Sequence, residues 1–353
     1  MSRPVLFVTN HAPPFRVGAF AKLHEREDVT FALVGGDVRH GGGAGDDAGA
    51  FPVRRVRERD VYALAASGDY RAVVAGLSGR LALPSAYAGA RRARVPFILW
   101  ATIWAHPRTA AHALSYLPLR HLYRHADAIV TYGPHVSAYV RSKGALQSVV
   151  EAPQSVDNAY WIGHFDEIRR AEFQAAFVGR ITREKGTQVL IQAWRTSGLS
   201  ALSAALVLVG DGPIRARAVA TGAALPEGPR TPAEVRNFYA GSDVVVLPSV
   251  PTRDFREPWG LVVNEAFNQG VPVIATDAVG AVAGGLVRHE RTGLVVPAGD
   301  ADALAAALRR MHDDPALRAR LGAVAREAVK DYTHDAWAAG VSSALADVGA
   351  SRC

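Results

Sequence analysis

Short apolar runs alternate with helical stretches along the whole of this chain, and that alternation restricts the fold more than any other feature. The runs lie at residues 5–9, 29–34, 72–75, 97–100, 128–131 and 149–152, then at 175–178, 205–209, 244–248 and 273–276. They are apolar throughout rather than at every second position, the mark of strands buried on both faces. Between them lie stretches of helical composition at 19–26, 84–94, 114–125 and 134–143, and later at 260–269, 302–310 and 334–348. Strands alternating with helices predict parallel sheets covered by helices on both sides. At 353 residues the chain exceeds the roughly 250–300 at which one hydrophobic core stops growing, so two domains are expected.

Half of the residues are hydrophobic (49%) and 21% are charged, enough apolar content for two such cores. No apolar run reaches the ~18 residues needed to span a bilayer, and Met1-Ser2-Arg3-Pro4 leads into a strand rather than a signal peptide. The expected location is cytoplasmic. One cysteine, Cys353, excludes an internal disulfide. The glycine-rich stretch 35–49 reads as a mobile loop rather than a phosphate cradle.

The net charge of +7 is unevenly spread. Between Pro84 and Ser148 the sole acid is Asp127, against seven arginines, Lys143 and five histidines, with tyrosines and tryptophans interleaved. A basic, aromatic region of this kind suits an anionic acceptor or peripheral contact with the inner membrane face; solvated surface is the alternative. No nucleic-acid motif accompanies it, so nucleic acid is not an expected partner.

Four motifs carry candidate chemistry. Glu257-Pro258-Trp259-Gly260-Leu261 opens a predicted helix that reaches Glu265, placing two acids eight positions apart. Eight helical residues would span about 12 Å, enough to bracket an elongated polar ligand; an acid at a helix start plus a solvated glutamate satisfies the spacing equally simply. Gly179-Arg180, followed by Lys185-Gly186, places two cations beyond a strand, where open α/β sheets bind ligands. Gly210-Asp211-Gly212-Pro213 is a strand-end turn without the third glycine of a dinucleotide fingerprint. Asp300-Ala301-Asp302 reads as a turn and helix start rather than a metal site.

The E-x7-E stretch, with Trp259 in the aromatic place, together with the complete G-R-x4-K-G and the G-x-G-P turn, resembles the retaining nucleotide-sugar glycosyltransferases of family 4. That resemblance implies the GT-B fold, two Rossmann-like doubly wound α/β domains facing a central cleft. Pro153-Gln154-Ser155-Val156-Asp157 resembles the P-N-G-V-D segment that precedes the interdomain crossing. The implied boundaries are 1–155 for an acceptor-binding domain, 156–172 for a linker and 173–331 for a donor domain, with 334–353 packing back on the first.

By the same resemblance Arg180 and Lys185 meet the diphosphate, assisted by the backbone at Trp259, Gly260 and Leu261. Glu257 holds donor-sugar hydroxyls, Glu265 the ribose, and Gly210 the nucleotide turn. Arg230 stands where the family's main chain touches the base, and Gly18 where a double glycine offers amides to the distal phosphate. His106 stands where family members carry a sugar-facing histidine, with His11 as runner-up. Paired cations suit a diphosphate leaving group. The implied activity is metal-independent, cofactor-free transfer of a hexose-type sugar, with retention, from a nucleoside-diphosphate sugar in its UDP or GDP form to an acceptor hydroxyl. The acceptor is unidentified, and anionic or lipid-linked compounds suit the basic region. Alternatives are a nucleotide-sugar 2-epimerase of the same architecture and a non-catalytic nucleotide-sugar-binding protein.

Overall fold

In the computed structural model, residues 3–35, 49–77, 79–216, 223–224 and 230–352 are described. Most of the glycine-rich stretch 35–49, Gly228 and Pro229 before Arg230, and Cys353 lie outside the described residues. The chain divides into two compact units, Met1–Asp157 with Tyr332–Cys353, and Asn158–Asp331. Residues 158–172 of the expected linker thus group with the second unit: Ile168 N–H donates to the Asn237 carbonyl, and Asn158 Oδ1 accepts from Asn268.

The first unit runs β1 (Val5–Thr9), α1 (Pro14–Glu27), β2 (Val29–Leu33), β3 (Val53–Arg55), α2 (Val61–Ala66), β4 (Ala72–Gly76), α3 (Ala82–Ala93), β5 (Phe97–Ala101), α4 (Ala110–His125), β6 (Ala128–Thr131), α5 (Pro134–Ser142) and β7 (Ser148–Glu151). Its sheet is parallel, in the order β3-β2-β1-β4-β5-β6-β7. β1, β4 and β5 are buried along their whole length, as their unbroken apolar runs require. The strand order reverses at β1, which pairs Val5 with both Val29 and Ala72.

The second unit adds α6 (Asn158–Trp161), β8 (Phe173–Val178), α7 (Thr187–Ser197), β9 (Ala204–Val209), α8 (Pro232–Ala240), β10 (Val244–Leu247), α9 (Val262–Asn268), β11 (Val273–Thr276), α10 (Gly280–Ala283), β12 (Gly293–Val296), α11 (Ala301–Asp313) and α12 (Pro315–Ala328). Its parallel sheet is ordered β12-β11-β10-β8-β9, so the winding reverses between β8 and β10. Ligands of open α/β sheets bind at the carboxyl ends of the strands on either side of such a reversal. The last helix, α13 (His334–Asp347), belongs to the first unit, where Trp337 is fully buried within 5.6 Å of Phe20 and 5.7 Å of Trp100.

Two expected element starts are corrected. α1 begins at Pro14, not near Ala19, because proline is preorganised for the first helical position and needs no donor there. Gly18 is therefore inside the helix. α9 begins at Val262, and Glu257 precedes it by a whole loop. Glu265 is the fourth residue of the helix, so the 12 Å helical span between the two acids does not apply. Asp300 caps α11, its carboxylate accepting from the N–H groups of Asp302 and Ala303.

Candidate active site on the second unit

The loop after β8 is pressed against the loop after β10. Gly186 adopts φ +69° at the start of α7, and a Cβ there would overlap the Pro248 carbonyl oxygen. Only glycine combines that backbone with that closeness. Val250 N–H also donates to the Glu184 carbonyl at 3.0 Å. Lys185 lies between these two contacts and is delivered to the β10 side.

There its Nζ donates to Glu257 Oε2 at 2.5 Å, and Ser249 Oγ donates to the same oxygen at 3.0 Å. Glu257 is 6% exposed. The ammonium also stands 5.5 Å from the Phe255 ring centre. Taking a carboxylate this far from water costs several kcal/mol, and a charged partner with a further hydrogen bond offsets it.

Glu257 is held by its own backbone as well. Gly280 N–H donates to the Glu257 carbonyl and Ala281 N–H to that of Trp259, docking the loop on α10. Trp259 is buried, its Nε1 donating to Asn264 Oδ1 at 2.8 Å. Gly260 has φ +96°, and the N–H groups of Gly260 and Leu261 meet no acceptor among the described residues. Donors so placed at the edge of a cationic site suit an anion.

Glu265, half-buried on α9, accepts from Tyr239 Oη at 2.7 Å. Burial pushes its carboxyl up to about 7, against the hydrogen bond from Tyr239, which favours the ionised form. Tyr239 belongs to α8, whose start is secured by a capping box: Thr231 Oγ1 accepts from Glu234 N–H while Glu234 accepts from Thr231 N–H. Arg230 pairs with Glu234 at 2.8 Å, at the same helix start.

The turn after β9 is joined to the one after β8. Gly179 N–H donates to Val209, Ile181 N–H to Asp211, and Arg215 Nη1 to the Gly210 carbonyl at 3.0 Å. Arg180 does not join the Lys185–Glu257 pair; it is exposed and lies 3.3 Å from Glu184, four residues on in the same loop. An exposed pair of this type contributes about 0–1 kcal/mol, leaving Arg180 able to exchange Glu184 for another anion.

Candidates on the first unit are placed differently. Gly18 is the fifth residue of α1, beyond the four N–H groups a helix leaves open, and its missing side chain makes room for the His334 ring. An amide offered to phosphate from a loop is not what Gly18 provides. His106 donates from Nε2 to the His112 carbonyl at 2.7 Å, and its Nδ1 is buried without a hydrogen-bond partner among the described residues. To meet a ligand through Nε2 it must give up His112. His11 is half-exposed beyond β1, and burial lowers its pKa.

Ser249, Phe255, Tyr239 and Asn264 complete the site without having been singled out as its members. Ser249 carried one signal, a polar residue just past the carboxyl end of an apolar strand. A second group was also missed. Arg16, 4% exposed, donates from Nη2 to Tyr132 Oη at 3.1 Å and to Gln154 Oε1 at 2.5 Å, with its guanidinium 5.1 Å from the Trp100 ring centre. Ser155 Oγ meets His334 Nδ1 at 3.0 Å. Gln154 and Ser155, the two departures from P-N-G-V-D, are thus side chains with tasks inside the first unit.

Residues 172–314 match the family described as Glycosyl transferases group 1. The D-inositol 3-phosphate glycosyltransferase of Pseudarthrobacter chlorophenolicus is 34% identical over 201 residues, 49% of this chain and 44% of that protein. The GDP-mannose-dependent alpha-mannosyltransferase of Mycobacterium tuberculosis is 32% identical over 233 residues, 60% of this chain and 56% of its own length. The chain spans about half the length of these curated relatives. Among solved structures, Anabaena HepE in complex with UDP superposes with a TM-score of 0.76 at 18% identity, over 97% of this chain and 99% of that one. Sucrose-phosphate synthase of Thermosynechococcus elongatus superposes at 0.75 and 19% identity, over 99% of each. At these identities the likeness is one of fold, the two-domain α/β architecture of the GT-B class.

Proposed function

We infer that this chain, which carries a glycosyl transferases group 1 domain over residues 172–314, transfers a hexose-type sugar from a nucleoside-diphosphate sugar to an acceptor hydroxyl, with retention and without a metal. The observation that carries the reading is the pairing of Lys185 with the buried Glu257 in the loops that follow β8 and β10.

Breaking a sugar–phosphate bond builds negative charge on the leaving diphosphate and oxocarbenium character on the sugar. Cations and amides already in place where that charge develops supply the largest rate term. Lys185 is such a cation, compact and held, and the N–H groups of Gly260 and Leu261 are such donors. Arg180 adds a second, mobile cation. With Lys185 meeting the diphosphate, no metal is needed to neutralise the leaving group.

Glu257, paired with Lys185, accepts hydrogen bonds from donor-sugar hydroxyls and stabilises the developing positive charge next to them. Glu265 accepts from the ribose hydroxyls, and Gly210, Trp259 and Arg230 shape the nucleotide's surroundings. His106 enters as a sugar-facing group once its Nε2 leaves His112. Retention follows from same-face attack by the acceptor, steered by the leaving diphosphate. HepE was solved with UDP and a relative uses GDP-mannose by name; UDP and GDP donors are accordingly the two to test first.

Incubation with UDP-, GDP-, ADP- and dTDP-sugars, with and without cell extract as the acceptor source, tests the reading. Nucleoside diphosphate released only when acceptor is present supports transfer. Conversion to a new nucleotide sugar without release identifies the 2-epimerase instead, and binding without either leaves a non-catalytic binding protein.

A further inference from the structure

The outward face of α4 is apolar where a surface helix is ordinarily polar. Its buried side holds Leu122 and Tyr123. On the opposite side Leu114 is 83% exposed and Leu117 69% exposed, and Arg120 and Arg124 continue the stripe at three and seven positions beyond Leu117. The 143–147 turn lies beside the same helix: Lys143 Nζ is 5.5 Å from the Tyr116 ring centre, Gln147 Nε2 donates to the Tyr123 carbonyl, and Gly144 abuts the Arg124 side chain. That turn carries Leu146, which is 96% exposed.

Charge complementarity selects the partner. α4, α5 and the 143–147 turn contain no aspartate or glutamate. Asp127, the one acid between Pro84 and Ser148, is engaged by Arg91 at 2.9 Å and by Phe97 N–H. Three exposed leucines on elements whose only charged side chains are cationic suit an interface that accepts apolar side chains beneath a layer of negative charge. We propose that the outward face of α4, with Leu146, docks on a bilayer containing anionic lipid, the leucines entering the boundary of the acyl chains and Arg120, Arg124 and Lys143 meeting headgroup phosphates.

The position of this face adds a consequence. His106 is tied to α4 through the His112 carbonyl and packs against Tyr116 at 5.2 Å. Docking therefore acts on the segment that holds His106, and an acceptor in the lipid layer would be presented next to it. That consequence rests on the transfer reading; lipid docking itself does not.

Sedimentation of the full chain with vesicles of phosphatidylcholine, alone or mixed with phosphatidylglycerol, is read without donor or acceptor. The wild type should pellet with the mixed vesicles and stay in solution with phosphatidylcholine alone. Arg120→Gln and Arg124→Gln should each weaken binding about fivefold at low salt. The double variant Leu114→Ser/Leu117→Ser should weaken it on the order of tenfold, at high salt as well as low. These side chains are exposed, so the melting temperatures of the variants should match that of the wild type. Failure of the wild type to pellet with either vesicle overturns the proposal, as does equal pelleting of wild type and leucine variant; indifference to phosphatidylglycerol overturns the anionic assignment.

Discussion

Lys185 and Glu257, 72 positions apart in the chain, meet at 2.5 Å, and the carboxylate has almost no access to water. The contact exists because two strand-end loops touch at Gly186 and Pro248. It makes the site cationic and anionic at once; under the proposed function one charge serves a diphosphate and the other sugar hydroxyls.

Removing the cation should expose the cost of that arrangement. Lys185→Ala leaves Glu257 buried without its cationic partner, and we expect a loss of about 3 kcal/mol in stability, read by urea denaturation. Glu257→Gln, which keeps a polar group for Ser249, should cost less than Lys185→Ala. Equal stability of Lys185→Ala and wild type would show that the pair carries no buried charge.

Glu265 predicts a pH dependence. Its carboxyl titrates at about 7 in the folded protein, above its ordinary 4.5. A raised acid pKa means the folded state holds the proton longer than the unfolded one, so this group's contribution to stability is complete below about 4.5 and is lost as pH rises through 7. Donor binding runs the other way, because the carboxylate is the better acceptor for ribose hydroxyls. Affinity for the nucleoside diphosphate should rise between about pH 6 and 8, and Glu265→Gln should flatten that rise. A profile unchanged by Glu265→Gln would remove Glu265 from the ribose.

Arg16 offers a test of the first unit. Its charge is buried, with Tyr132 and Gln154 accepting from Nη2 and one nitrogen, Nη1, without a hydrogen bond among the described residues. Replacing the acceptor by Gln154→Leu should destabilise by about 2–3 kcal/mol, since it strands a buried cation. Arg16→Met, which removes the cation and keeps the apolar contacts with Trp100 and Trp337, should cost less. Thermal unfolding of the two variants reads the order, and the reverse order would mean that the arginine itself holds α1 in place.

The parallel strands were legible because burial on both faces leaves unbroken apolar runs; β1, β6 and β11 begin and end where those runs do. β3 and β12 escaped notice for the converse reason, being only three and four residues long with part of their surface in water. α1 was read too short because Pro13, Pro14 and Gly18, residues that ordinarily mark loops, stand at its start and just inside it. At the site, Lys185, Glu257 and Glu265 could be found from motif spacing. Ser249 and Tyr239 could not be assigned to those acids, because their proximity depends on how separate strand-end loops and helices pack, which no local spacing encodes. Arg180 had the same motif support as Lys185, yet only Lys185 reaches the buried acid.

Calorimetric titration of UDP and GDP into the wild type and Lys185→Ala tests the central claim most directly. A nucleoside-diphosphate site built around Lys185 predicts that one of the two nucleotides binds the wild type and that the variant binds it at least about tenfold more weakly, the loss expected for one charge-assisted hydrogen bond. Equal affinity for wild type and variant, or no binding of either nucleotide to the wild type, would contradict it.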